Sequence, residues 1–342
     1  MRIEKNLQYY ISRFTSDYLS GECGFSGNTV LSYEDTFRLL TRYFEASLGI
    51  APHKIQLDDF NADNIRAFLN HLEAQGCCAS TRNQRLAAIK SFCRYVQRDA
   101  PKNLYNFQQI LKIHGKRQAK TMITYLNANQ LAMLLEKPDA SCRAGFKDLL
   151  MLTVLYDSGA RVSEFINIKV SDVRLEPVEG ITLHGKGNKK RYVPLSQSTV
   201  RLLKLYFEKE RLQTPINASR HLFLNRSGNP YTRPGITYIL QKYTTMLHNE
   251  HPESFPKKLT PHCLRHTKAM VMLRANQDLI KIRDTLGHEH IQTTEIYARA
   301  DTSQINDAIE TLQSQIALPD NTIIDYMANP DLLKYLTELS EE

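Results

Sequence analysis

No stretch of this 342-residue chain approaches the ~18 consecutive apolar residues that a membrane-crossing helix requires. The opening Met1-Arg-Ile-Glu-Lys lacks the apolar core of a secretory signal. Both absences lead to the expectation of a soluble, cytoplasmic protein. The six cysteines (Cys23, Cys77, Cys78, Cys93, Cys142, Cys263) form no CxxC pair, so they read as reduced core or surface thiols. Internal repeats and low-complexity tracts are missing, and so is the GxxxxGK[ST] loop that cradles nucleotide phosphates.

What is present is ample apolar material, 42% against 23% charged residues, which excludes wholesale disorder. The length suits two domains. Positive charge is in excess at +8 and is unevenly spread. Residues 312–342 hold one lysine and six acids, a net −5, which leaves +13 on the rest of the chain. A basic body with an acidic end points to a polyanionic partner, most simply nucleic acid.

The first hundred residues carry helical spacing. Asn28-Thr29 is expected to cap a helix reaching Ser47, with Leu31, Tyr33, Phe37, Leu40 and Phe44 inward. Asn61 caps a second helix that buries Ile65, Phe68, Leu69 and Leu72 and stops near Gly76. A third starts at Ser80, with Leu86, Ile89, Cys93 and Val96 inward. Its other side carries Arg82, Arg85, Lys90, Arg94 and Arg98, with no acid until Asp99. Each base alone reads as a solvated group, whereas five on one helix suggest phosphate contact. Residues 112–120, with Lys116, Arg117 and Lys120, have no apolar period and read as an interdomain link, either lying along a nucleic acid backbone or simply solvated. The expected division is 1–111, a linker over 112–125, a second domain over 126–316 and a tail over 317–342.

Beyond Asn127, helices are expected near 127–136 and 143–158. Strands Ile181–His184 and Arg191–Leu195 follow, joined by Gly185-Lys-Gly-Asn-Lys-Lys190, then helices to about 316. Four pieces of this half carry chemistry. In Ser158-Gly-Ala-Arg161-Val-Ser-Glu164 a buried helix ends and Arg161 opens the next, either holding a planar fork of donors in place or forming a surface pair with Glu164. Lys186 sits between two glycines in the hairpin turn. In Thr260-Pro-His262-Cys-Leu-Arg265-His266 the cap and Pro place His262 in a first helical turn, where an anion is favoured, and Arg265 lies on the same side. His262 and His266 form HxxxH without a following Glu or a third ligand, poor grounds for zinc. In Leu286-Gly-His288-Glu-His290 a helix ends at Gly287, and Tyr297 follows on the next.

Taken singly, these are ordinary pairs, caps and core residues. Two arginines, a lysine, two histidines and a tyrosine together are what metal-free phosphoryl transfer from DNA requires. On these residues the chain resembles a tyrosine recombinase of the phage integrase family over about residues 5–310. Asn64-Ile-Arg-Ala-Phe-Leu-Asn and Arg85-Leu-Ala-Ala-Ile-Lys-Ser-Phe are similar to its helical core-binding domain. The resemblance implies a mainly α fold with a small antiparallel β-sheet. A helical, SAM-like core-binding domain would precede a mixed α/β catalytic domain.

By the same resemblance, Tyr297 is the nucleophile forming a 3′-phosphotyrosine, Arg161 and Arg265 bind the scissile phosphate with His288, Lys186 is the general acid, and His262 accepts a proton or holds phosphate. His290 stands as an alternative to His288, and Lys189 or Lys190 to Lys186. No metal or other cofactor is expected, because the phosphodiester energy is kept in the tyrosyl link. The expected partners are double-stranded recombination sites, on which four copies assemble. Thr302–Ile316 reads as a helix, and 320–342, apolar and acidic, as a segment docking on a neighbouring protomer or on its own domain. The length of that tail favours integration or excision of a mobile element. The alternatives are a type IB topoisomerase, which relaxes DNA by the same chemistry, and a catalytically silent DNA-binding relative.

Overall fold

Asn61 shows how local chemistry starts an element: its backbone is extended and its side-chain oxygen accepts the N–H of Asn64, so a helix begins at Ala62. In the computed structural model, which describes residues 6–117, 123–185, 187 and 189–300, the chain divides into two units, Met1–Thr121 and Met122–Glu342. The first unit holds α1 (Leu7–Arg13), which runs into a π-helical segment over Phe14–Glu22, then α2 (Gly27–Leu48), α3 (Ala62–Ala74), α4 (Ala79–Val96) and α5 (Leu104–Leu111). Its core is rich in aromatics, with Phe14, Phe37, Phe44, Phe60, Phe68, Phe92 and Phe107 all buried.

The expected inner stripes of α3 and α4 are buried as read. Helix α2 departs in two details. It begins at Gly27 behind Ser26, ahead of Asn28-Thr29, and Leu31 is 62% exposed. At 100° per residue Leu31 lies about a third of a turn away from Phe37, so the inward face is built by Thr36, Phe37, Leu40, Tyr43 and Phe44 instead.

The second unit comprises α6 (Ala128–Glu136), α7 (Arg143–Ser158), α8 (Val162–Phe165), a sheet of β1 (Val173–Arg174), β2 (Gly180–His184) and β3 (Lys190–Pro194), then α9 (Gln197–Lys209), α10 (Arg233–Glu250), α11 (Pro261–Arg274), α12 (Leu279–Leu286) and α13 (Gln292–Ala300). The sheet is antiparallel in the order β1-β2-β3, with Ile181 opposite Val193. Strand β1 is two residues long, too short to show a period in sequence. Helix α7 is buried nearly all round and packs on α9 and α11. Among the described residues no helix is long and apolar enough to cross a membrane. The expectations for Lys120, Lys186, Thr302–Ile316 and 320–342 lie outside the described residues.

Candidate active site

Two left-handed glycines set the scaffold. Gly159 ends α7 at φ 57° and Gly287 ends α12 at φ 68°. The C-terminal carbonyls of a helix lack intrahelical partners and carry negative potential, which suits a cation. The arginines take these places crosswise. Arg265, on α11, donates from Nη1 to the Gly159 carbonyl at 2.7 Å, and Arg161, two residues past Gly159, donates from Nη2 to the Gly287 carbonyl at 2.9 Å. The two guanidiniums thereby face one site across more than a hundred residues of sequence.

Glu164 is not a surface partner of Arg161 but a buried one, 5% exposed. One carboxylate oxygen accepts Arg161 Nη1 at 2.8 Å and the other the Arg161 backbone N–H at 2.9 Å. Arg191 of β3 reaches the same carboxylate with both terminal nitrogens, at 3.0 and 2.7 Å, and donates from Nε to the Thr285 carbonyl at 2.9 Å. Burial raises the Glu164 pKa, but Arg191 and Arg161 outweigh it and hold the carboxyl below its usual range. Sequence reasoning does not find Arg191. Its partners are 27 and 94 residues away, and in sequence it is one more base in a basic turn.

Arg265 is 3% exposed, and its Nη2 is buried with no hydrogen-bond partner among the described residues. Burial, reinforced by Arg161 and Arg191, pulls it down to about 10, so it stays charged at neutral pH. Tyr297 is 1% exposed, set among Ala269, Met270, Leu273, Ile282 and Leu286. Burial pushes its phenol up while Arg265 and Arg161 oppose that rise. His288 stacks on the Tyr297 ring at 6.2 Å between centroids, and its Nδ1 meets the buried Thr294 Oγ1 at 2.9 Å. Burial, then Arg265, Arg161 and Arg191, lowers His288 to about 4, so its ring is neutral at pH 7. His290 is exposed.

His262, also exposed, is lowered by the covered part of its ring and by Arg265 and Arg161. The group in contact with the Tyr297 hydroxyl is instead His266, whose Nδ1 lies 2.9 Å away. In sequence His266 stands out only as half of a metal pair; the two histidine rings are 6.4 Å apart, and among the described residues no third ligand joins them. The structure therefore brings Arg161, Arg265, His262, His288 and Tyr297 into one electrostatic neighbourhood. Lys186 is outside the described residues; Lys189 is exposed, 3.7 Å from Glu289, and Lys190 is exposed.

The basic set on α4 and beyond does not act as one face. Arg82 is 6% exposed with Nε 3.0 Å from Glu73 of α3, and Arg85 pairs with Asp35 and donates to the Ser32 carbonyl and Thr36 hydroxyl of α2. Acids on other helices thus neutralise two of the five bases. Lys90 is half-buried, and Arg94 and Arg98 are exposed, the latter 5.9 Å from the Tyr18 ring. Lys116 joins the unit: its backbone exchanges hydrogen bonds with the Asn83 amide and its Nζ lies 2.6 Å from Glu73. Arg117 is exposed.

Residues 124–304 match the family model of the phage integrase family, and residues 11–99 that of the phage integrase N-terminal SAM-like domain. This chain belongs to the phage integrase family, that of the tyrosine recombinases. The Sinorhizobium fredii protein y4rC, whose name carries the words integrase/recombinase, is 35% identical over 277 residues, 80% of this chain and 82% of that protein. Tyrosine recombinase XerD of Listeria monocytogenes is 30% identical over 293 residues, covering 85% and 94% of the two chains. The Tn1549 transposon integrase, solved with transposon right-end DNA, shares the fold with a TM-score of 0.67 at 18% identity, over 90% of this chain and 98% of that one.

Proposed function

We propose that this protein is a site-specific DNA recombinase that cuts and rejoins strands through a 3′-phosphotyrosine on Tyr297, in the integration or excision of a mobile element. The observation that carries the reading is Arg265 Nη2, a charged donor buried without a partner beside Arg161 and Tyr297. A buried polar group left unbonded is costly, and here a non-bridging phosphate oxygen would satisfy it. Arg161 keeps one guanidinium edge on Gly287 and Glu164, so its orientation is fixed before substrate arrives. Fixed donors aimed at developing charge are the usual largest catalytic contribution.

In this reading Tyr297 Oη attacks phosphorus, Arg161, Arg265 and His288 steady the equatorial oxygens, and Lys186 protonates the departing 5′ oxygen. Double-stranded sites are held partly by Lys90, Arg94, Arg98 and Arg117. Four copies act on two duplexes, with 320–342 docking between neighbours; deleting that segment should weaken assembly on paired sites yet spare cleavage of a single site. To test the reading, duplexes bound by the protein are selected from a random-sequence pool and nicked beside the cut position. An SDS-resistant adduct with wild type, and none with Tyr297→Phe, is expected. An adduct that survives Tyr297→Phe sinks the assignment.

A further inference from the structure

We propose that His266, rather than His262, takes the phenolic proton as Tyr297 attacks phosphorus; the inference rests on the recombinase reading above. His266 Nδ1 is 2.9 Å from Tyr297 Oη, with the rings 5.6 Å apart and tilted by 56°. Tyr297 is 1% exposed, and the side chain at hydrogen-bond distance from its hydroxyl is His266. The neighbouring histidines are otherwise disposed. His262 stands one turn earlier on α11, its ring exposed and 6.4 Å from that of His266. His288 lies nearly parallel to the Tyr297 ring, and its Nδ1 is taken by Thr294.

The charges around His266 make the transfer depend on substrate. His262 and Arg265 on its own helix and His288 ahead of α13 interact with it, while the Asp157–Lys268 pair at 2.8 Å closes on itself between α7 and α11. Burial, His262 and Arg265 lower His266 to about 4, so its ring is neutral at neutral pH, and in the tautomer protonated at Nε2 its Nδ1 accepts from the phenol. A phosphodiester on Arg265 offsets one of those cations, and the basicity of His266 rises when the substrate is in place.

The step balances. The Tyr297 Oη–P bond forms, the P–O5′ bond breaks, the phenolic proton moves to His266 Nδ1 and O5′ takes a proton from Lys186. Rejoining reverses each move, with the phenolate recovering its proton from His266.

The test is single-turnover adduct formation by the full chain on the selected nicked duplex, from pH 6.5 to 9.5. His266→Gln and His266→Asn keep a polar side chain but lose the basic nitrogen. Both should slow the reaction by about 10²–10⁴-fold, with a rate that climbs about tenfold per pH unit where wild type is flat. Added imidazole should restore part of the rate to His266→Ala and leave wild type unchanged. His262→Gln should keep the wild-type pH profile. Three results would overturn the proposal: wild-type rates in both His266 variants, slowed rates with an unchanged pH profile and no imidazole rescue, or the sloping profile appearing in His262→Gln. Wild type without adduct removes the recombinase reading itself, a separate failure.

Discussion

Arg265 holds a charged nitrogen in the interior without a partner among the described residues, an arrangement that carries a penalty of about 1–3 kcal/mol or more. Arg265→Met should slow adduct formation by about 10²–10³-fold while changing urea-unfolding stability little, because loss of the Nη1 bond to Gly159 offsets relief of the unpaired Nη2. Glu164 is the opposite case. Its carboxylate is the shared counter-charge of Arg161 and Arg191, and Glu164→Gln should cost about 3–5 kcal/mol in the same unfolding assay because two guanidiniums lose it. The acid behaviour follows from the shifts. His266 and His288 fall from 6.5 to about 4 on folding, so the unfolded chain binds more protons across that window. Their stability contribution is full above pH 6.5 and drains away as pH falls toward 4. Glu164, held below 4.5, adds stability above that pH and loses it as pH drops through its folded value. Unfolding free energy measured from pH 7 to 4 should decline steadily, and His288→Asn should flatten the upper part of the decline. Arg161, Arg265, His288 and Tyr297 stood out in sequence only together, through the order and spacing of four dispersed pieces that resemble a family pattern, since each alone reads as an ordinary pair, cap or core residue. Arg191 and the contact of His266 with Tyr297 did not stand out, since what defines them is a partner 27 or 31 residues away.

At the scale of elements, α4 separates two kinds of base. Arg82 and Arg85 tie it to α3 and α2, so Arg85→Ala should lower the thermal midpoint by removing charged hydrogen bonds to Asp35, Ser32 and Thr36. Arg94→Ala should leave the midpoint alone and reduce the salt dependence of DNA binding, by about 0.9 in the log–log slope for each phosphate that is no longer neutralised. Comparing the two variants by calorimetry and by binding at several salt concentrations checks both. Sequence showed the five bases but not their acids, because Asp35 and Glu73 come from other helices and only tertiary packing brings them near. Gly287 is a tighter constraint. Its φ is 68°, and a Cβ there would stand 2.7 Å from Arg191 Nη1. Gly287→Ala should both destabilise the second unit and impair cleavage, because the displaced guanidinium is the one that braces Glu164.

For the whole molecule, two helical units with one small sheet were readable from periodicity and turn residues, and the excess of positive charge was readable from counting. The sequence left unsaid that the second unit closes its site by exchange: the end of α7 receives an arginine from α11, while the arginine just after α7 is received by the end of α12. During synthesis, then, a chain still short of residue 287 lacks the carbonyl that receives Arg161 Nη2 and has no Tyr297. On the reading of Tyr297 as the nucleophile, a fragment released by a stalled ribosome or an early protease cut is unable to nick DNA, and the hazard of an unfinished DNA-cutting enzyme is removed by the order in which its parts are made.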